Sequence, residues 1–212
     1  MTDSAVAPES PSKAIETILL AAEIEFAERG FEGAGMKAIS TRAKLSQALL
    51  HYHFGTKDRL YAEVIGQRSK KINDERLDLL AQVDLSAPKA LDGILEALFI
   101  PPLGPSGGAR PYARIFSGLI VGQERDQALV KRYYDPTAKK FIAAFQTALS
   151  DLDRPAAAMS YTLSLGTLIT VIGRDGRIER LMGRADEQQI EESLESIVTF
   201  SKAGILALAK GR

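Results

Sequence analysis

The chain has no cysteine and only two histidines among its 212 residues. Without cysteine there is no disulfide framework, no thiolate nucleophile and no thiolate metal ligand, which fits a reducing cytosol. His51 and His53 stand two residues apart, so on a helix they point to different faces. With no third histidine, a metal site is not expected. The chain contains no Glu-x-x-His pair of the kind that holds di-metal centres in helical bundles. It also lacks a G-x-x-x-x-G-K-[ST] phosphate loop. Acid–base chemistry would rest on Asp, Glu and Tyr alone. No catalytic residue, metal or cofactor is therefore expected, and the chain does not read as an enzyme.

Three further absences bear on location and class. The first eleven residues, MTDSAVAPESP, carry no basic n-region and no apolar h-region, so no signal peptide is expected there. Residues 1–11 read as a disordered tail. The most apolar run, near Tyr161–Ile172, is interrupted by Ser, Thr and Gly and reads as too short to span a bilayer. A cytoplasmic protein with no membrane partner is expected. No stretch alternates like a strand and no repeat is visible, which leaves an all-α fold.

What is present is a local excess of positive charge. The chain carries 27 Lys/Arg and 27 Asp/Glu and is neutral overall. Between Met36 and Lys71, however, eight Lys/Arg stand against two acids. A basic module on an acidic body is expected where one end meets phosphate and the other does not. A sequence-neutral DNA-packaging protein would need a broader positive surface.

Helical spacing places about nine helices. The first begins at Pro11, capped by Ser10, with Ile15, Ile18, Leu19, Ala22 and Phe26 on one face and Gly30 as its end. Short helices follow at Met36–Ala43 and Gln47–Phe54, the second capped by Ser46. A long helix is predicted from Lys57 to about Gln82. Others are predicted near Pro88–Phe99, Arg110–Gln123, Asp126–Leu149, Pro155–Ile172 and Asp186–Ala209. Pro101–Gly108 and Gly173–Gly183 read as loops. The pair of short helices around Lys44-Leu45-Ser46 has the pattern of a DNA-reading helix-turn-helix.

The first 70 residues resemble the DNA-binding domain of the TetR family of bacterial transcriptional regulators. The resemblance rests on Ile18-Leu19, Ala21-Ala22, Phe26-Ala27-Glu28-Arg29-Gly30-Phe31, Met36, Ile39, Ala43, Leu45-Ser46, Leu50, Tyr52-His53-Phe54, Lys57 and Leu60. It implies a helix-turn-helix domain over residues 12–56 and a helical ligand-binding and dimerisation domain over residues 57–212. Three positions depart from the family pattern. Ala34-Gly35 stand where Thr or Ser usually caps the second helix. Lys44 stands where the turn residue is commonly Gly; a left-handed turn there costs roughly 1 kcal/mol, which a phosphate contact would offset. His51 stands where Tyr is frequent, so an imidazole N–H would replace a tyrosyl phosphate contact.

The DNA-binding set expected on this basis is Lys37, Thr41, Arg42, Lys44, Ser46, Gln47, Ala48, Leu49, His51, Tyr52 and Lys57. Gln47 suits a bidentate bond to an adenine edge. Ala48 or Leu49 would touch a thymine methyl. Tyr52 would reach backbone or base. Lys37, Thr41, Arg42, Lys44 and Lys57 would hold phosphate, which fixes register without reading sequence. Leu50, His53 and Phe54 read as packing.

In the C-terminal body, Ser160, Ser164 and Thr167 form a stripe of small residues that admits a close helix. Ile190, Leu194, Ile197, Val198 and Ile205 line one face of the last helix. Both suit a four-helix seam in a homodimer, with the core of a monomer as the alternative. Phe99, Tyr112, Phe116, Leu119, Tyr134, Phe141, Phe145 and Tyr161 are candidate walls of a pocket for a small apolar or amphipathic effector. Arg114 and Arg132 are candidates to pair an anionic head group. The resemblance implies a repressor that binds a palindromic double-stranded DNA operator and is released when effector binding tilts the long fourth helix. The alternatives are a regulator without an effector, and an activator using the same residues.

Overall fold

The computed structural model describes residues 11–173, 176–183 and 190–210. Among them are eleven α-helices, one short 3-10 turn and no strand, so the fold is all-α. The disordered tail expected at residues 1–11 lies outside the described residues, except that Pro11 already opens the first helix.

The chain divides into two compact units, one ending at Gly66 and the other beginning at Gln67. The division between the units falls inside the fourth helix. The reason is burial: Leu60, Tyr61, Val64 and Ile65, all on the first turns of that helix, are core residues, and Tyr61 packs against Phe26 and Phe31.

In the first unit, α1 (Pro11–Gly33) is broken at Gly30, whose φ of 67° and ψ of 175° are not helical. One further turn carries it to Gly33. Its apolar stripe buries Ile18, Leu19, Ala22 and Phe26, as a 3.6-residue period requires. α2 (Met36–Ala43) and α3 (Gln47–Phe54) have the predicted bounds. They turn their buried residues, Ile39, Ala43, Leu50 and Phe54, inward. α4 (Lys57–Ala81) starts after Thr56, whose hydroxyl accepts from the Arg59 amide at 3.2 Å.

The second unit is built around α5 (Ala90–Leu103), α8 (Asp135–Ala148), α9 (Arg154–Gly173) and α11 (Ile190–Lys210). These supply one core containing Ile94, Leu98, Phe99, Phe141, Phe145, Tyr161, Leu168, Ile197 and Ile205. The remaining helices are α6 (Ala109–Ile120), α7 (Glu124–Tyr133) and α10 (Arg177–Met182).

Four expectations are corrected. The helix predicted at Asp126–Leu149 is two, α7 and α8, separated at Tyr134. Pro136 has no N–H for the Arg132 carbonyl, so the helix cannot run through. The loop predicted from Pro101 begins later, because Pro101 and Pro102 complete the last turn of α5. The loop predicted at Gly173–Gly183 holds α10, stopped by Gly183 at φ 68°. Finally, α9 spans 20 residues and is long and apolar enough to cross a bilayer. One of its faces packs into the core, with Ala157, Tyr161, Ser164 and Leu168 buried.

Candidate nucleic-acid interface

The turn between α2 and α3 is set by two local devices. Lys44 adopts φ 56° and ψ 34°, and its amide donates to the Thr41 carbonyl at 3.1 Å. It is the one described non-glycine residue in the left-handed region. Ser46 then caps α3, its Oγ accepting from the Leu49 amide at 3.1 Å. The cap fixes where α3 starts and so which side chains face outward. At the start of α2, Gly35 makes no side-chain cap, as its missing hydroxyl requires.

The outward face of α3 consists of Gln47, Ala48, His51 and Tyr52. Their i, i+1, i+4, i+5 spacing is one helical face. Tyr52 is 83% exposed, an unusual condition for a large aromatic. Leu50 and Phe54 are buried beneath, and Leu49 and His53 are half-buried. Lys37, Thr41, Lys44 and Ser46 are exposed. Lys37 and Thr41 stand one turn apart on α2, with the Thr41 hydroxyl donating to the Lys37 carbonyl at 2.9 Å.

Three expected contacts are already engaged inside the chain. Arg42 forms ion pairs with Glu25 at 2.8 Å and Glu28 at 2.6 Å. Its hydrogen bond to Glu25, with both carboxylates nearby, raises its pKa. Arg42 therefore joins α2 to α1 and presents little free charge. Lys57 donates from Nζ to the carbonyls of Phe31 at 2.8 Å and Glu32 at 3.3 Å, and lies 4.4 Å from the centre of the Phe31 ring. It closes the carbonyl end of α1, a helix-capping role. His51 Nδ1 lies 2.8 Å from the Gly55 carbonyl, which can only accept, so Nδ1 carries the proton. Its Nε2, 3.3 Å from the Gln47 amide nitrogen, then accepts from Gln47. Both ring nitrogens of His51 are thus engaged inside the chain, and His51 orients Gln47.

Family models match both parts of the chain. The model described as "Bacterial regulatory proteins, tetR family" covers residues 18–64, and "Tetracyclin repressor-like, C-terminal domain" covers residues 95–204. The second alone spans more than half of the chain. The chain belongs to the TetR family. Its members are DNA-binding transcriptional regulators with this helix-turn-helix. Among curated relatives, the HTH-type transcriptional repressor NicS of Pseudomonas putida is 32% identical over 74 residues, 35% of this chain and 34% of that protein. The HTH-type transcriptional repressor Rv3405c of Mycobacterium tuberculosis is 35% identical over 71 residues, 34% of this chain and 38% of that protein. The match thus spans about a third of these relatives' length. Over the whole fold, a TetR-like transcriptional regulator from Rhodococcus sp. RHA1 superposes with a TM-score of 0.66 at 19% identity, covering 95% of this chain and 99% of that one. The TetR family regulator PfmR from Thermus thermophilus gives 0.64 at 17%, covering 89% and 97%.

Within this TetR-type head, the two lysines predict different phenotypes. Lys37→Ala should reduce the salt slope of DNA binding by about 0.9, the value for one released counterion, and leave stability unchanged. Lys57→Met keeps the stem but removes two charge-assisted hydrogen bonds. It should cost the first unit about 1–3 kcal/mol and leave the salt slope unchanged. Urea denaturation and anisotropy across a salt series measure the two effects.

Proposed function

We propose that this TetR-family regulator is a repressor that binds a palindromic operator as a homodimer, in the cytoplasm and without a membrane partner, and is released by a small-molecule effector. The observation that carries the DNA-reading part is the exposed α3 face of Gln47, Ala48, His51 and Tyr52, presented by the Ser46 cap. Gln47 is the base-reading residue and Tyr52 the large contact surface. Lys37, Thr41 and Lys44 hold phosphate.

The homodimer reading is supported by an apolar groove between α9 and α11. Ser160, Ser164, Thr167 and Ile205 line it together with Leu163, Phe200 and Leu208. Leu163 is 55% and Phe200 71% exposed in the single chain. Large apolar side chains grouped on a surface mark an interaction site. The groove takes in the small-residue stripe and Ile205, but not Leu194, Ile197 or Val198 of the α11 face expected from sequence. Ile197, Val198 and Ile205 are buried in their own chain's core, and Leu194 packs against that core. Thr167 is half-buried and lies 3.3 Å from the Ser201 hydroxyl. The Ile190 side chain lies outside the described residues.

The effector reading is supported by a cavity in the second unit, lined in part by Tyr112, Phe116 and Tyr134. The other five candidate walls do not line it. Phe99, Phe141, Phe145 and Tyr161 belong to the core cluster, and Leu119 is fully buried.

Fluorescence anisotropy on a labelled duplex from the gene's own upstream region, with a scrambled duplex as control, tests the reading. Specific binding that weakens with salt is expected. Gln47→Ala and Tyr52→Ala should each weaken specific binding by about tenfold, roughly one lost base contact, without loss of stability. Equal binding to both duplexes, or full specificity in both variants, would sink the assignment of the reading face.

A further inference from the structure

The buried face of α4 in the second unit is polar where helical packing calls for apolar residues. Ser69, Ile72, Asn73 and Arg76 recur at i, i+3, i+4 and i+7, and all four are buried. Arg76 is 1% exposed. A buried guanidinium normally faces a carboxylate, because the cost of desolvating an unpaired ion is several kcal/mol. Among the described residues no carboxylate pairs with Arg76. Its Nε donates to the Leu98 carbonyl at 2.9 Å. That carbonyl is available because Pro102, four residues on, has no N–H to donate to it. The bond anchors the stem and leaves the two outer Nη groups to serve another acceptor.

Arg76 lines the cavity already described, together with Ile72, Phe116 and Ile172. Tyr112 and Tyr134 also line it, with their hydroxyls hydrogen-bonded to each other. Burial raises the pKa of Tyr134, so the pair stays neutral and brings no anion of its own to Arg76. The cavity thus combines a fixed cation, neutral hydroxyls and apolar walls. Arg114 and Arg132, the arginines expected from sequence to pair an anion, are both exposed.

The cavity is closed down. Its volume is only about 10 Å3. That is room for about one water, so any larger occupant must move a wall. A ligand that widens the cavity binds the widened state better than the closed one, which is the differential affinity an effector needs. Arg76 also shares α4 with Leu60, Tyr61 and Val64, core residues of the first unit.

We propose that this cavity opens to bind a compact organic acid, with Arg76 holding the carboxylate beside the tyrosine hydroxyls, and Ile72, Phe116 and Ile172 packing the apolar body. The inference rests on the effector reading above and names the chemical class of the effector. Pockets for drug-sized ligands run to roughly 300–1,000 Å3, so a small acid demands the least opening.

The test is isothermal titration calorimetry on the full chain without DNA, using benzoate and hexanoate against benzamide and hexanamide. Each pair differs in charge and hardly in shape. At least one acid should bind saturably and about tenfold or more tighter than its amide, the worth of a charged hydrogen bond. Arg76→Gln should erase that difference. Should Arg76→Gln fail to fold, the acid–amide comparison on the unaltered chain decides alone. Ala113→Phe, which fills the cavity from another wall, should abolish binding of the acid. Saturable binding of neither acid, or amides that bind as well as acids, overturns the proposal. Anisotropy on the specific duplex is then read separately. An acid that binds without changing DNA affinity supports the site and removes the effector role from it.

Discussion

Phe26→Ala should cost the first unit about 3–5 kcal/mol, the range for emptying a phenylalanine site in a packed core, and should abolish specific DNA binding. Phe26 is 2% exposed. Its ring meets Tyr61 edge-on with centroids 4.8 Å apart and stacks on Phe31 at 6.1 Å. Phe31 and Tyr61 meet edge-on at 5.0 Å, so the three rings close on one another. The void left by alanine would border α1, the turn after Gly30 and α4 together. Small units have little margin, since stability runs at roughly 0.05–0.15 kcal/mol per residue. Removing the ring therefore removes most of what holds the reading head. Urea denaturation followed by circular dichroism, with anisotropy on the operator, measures both effects. A loss below about 1 kcal/mol, far under the range for a buried phenylalanine, would show that the ring cluster is peripheral. Phe26→Leu, which keeps most of the volume, should be much milder.

The reading head was legible in the sequence because its determinants are local. Ser46 caps a helix whose first residue follows it, and the bounds of α2 and α3 follow from such neighbours. The roles of Arg42 and Lys57 were not legible, because their partners are distant in the chain. Glu25 lies 17 residues from Arg42, and the Phe31 carbonyl lies 26 from Lys57. A lysine or arginine in a basic stretch reads as a phosphate contact until the fold supplies another acceptor. His51 illustrates the same limit at short range. Its residue type offers a donor to phosphate, but its Nδ1–H is already donated to the Gly55 carbonyl.

The second unit was legible in class and less so in detail. The break between α7 and α8 was present in the sequence as Pro136, yet the apolar period carried across it. Arg76 gave no signal at all. It stands in α4 among Lys70, Lys71, Asp74, Glu75 and Asp78, a run that reads as a solvated face. Only packing separates Arg76, at 1% exposure, from these neighbours. Helical period has a related blindness on α11. The stripe containing Ile197, Val198 and Ile205 is apolar whether it meets its own core or a second chain. Period alone marks the stripe without saying which; the structure places it inward.

That distinction leads to a contrast between two substitutions on the same helix. Phe200→Glu should leave each chain folded and convert the proposed dimer to monomers. Phe200 is 71% exposed and adds little to its own chain's core. In a two-fold seam every substitution occurs twice, so two carboxylates would enter one apolar interface. Each would lose hydration without a partner, which costs several kcal/mol per ion. Separated heads would then bind half-sites independently. Losing the linkage between two binding modules lowers affinity by about 100-fold or more, so affinity for the specific duplex should fall by at least that factor. Sedimentation velocity should show a single species of monomer mass at concentrations where the unaltered chain is dimeric. Ile205→Glu, five residues on, buries its charge in the core and should unfold the second unit instead. A Phe200→Glu chain that stays dimeric would place the seam elsewhere. Dissociation without loss of DNA affinity would mean that one reading head suffices.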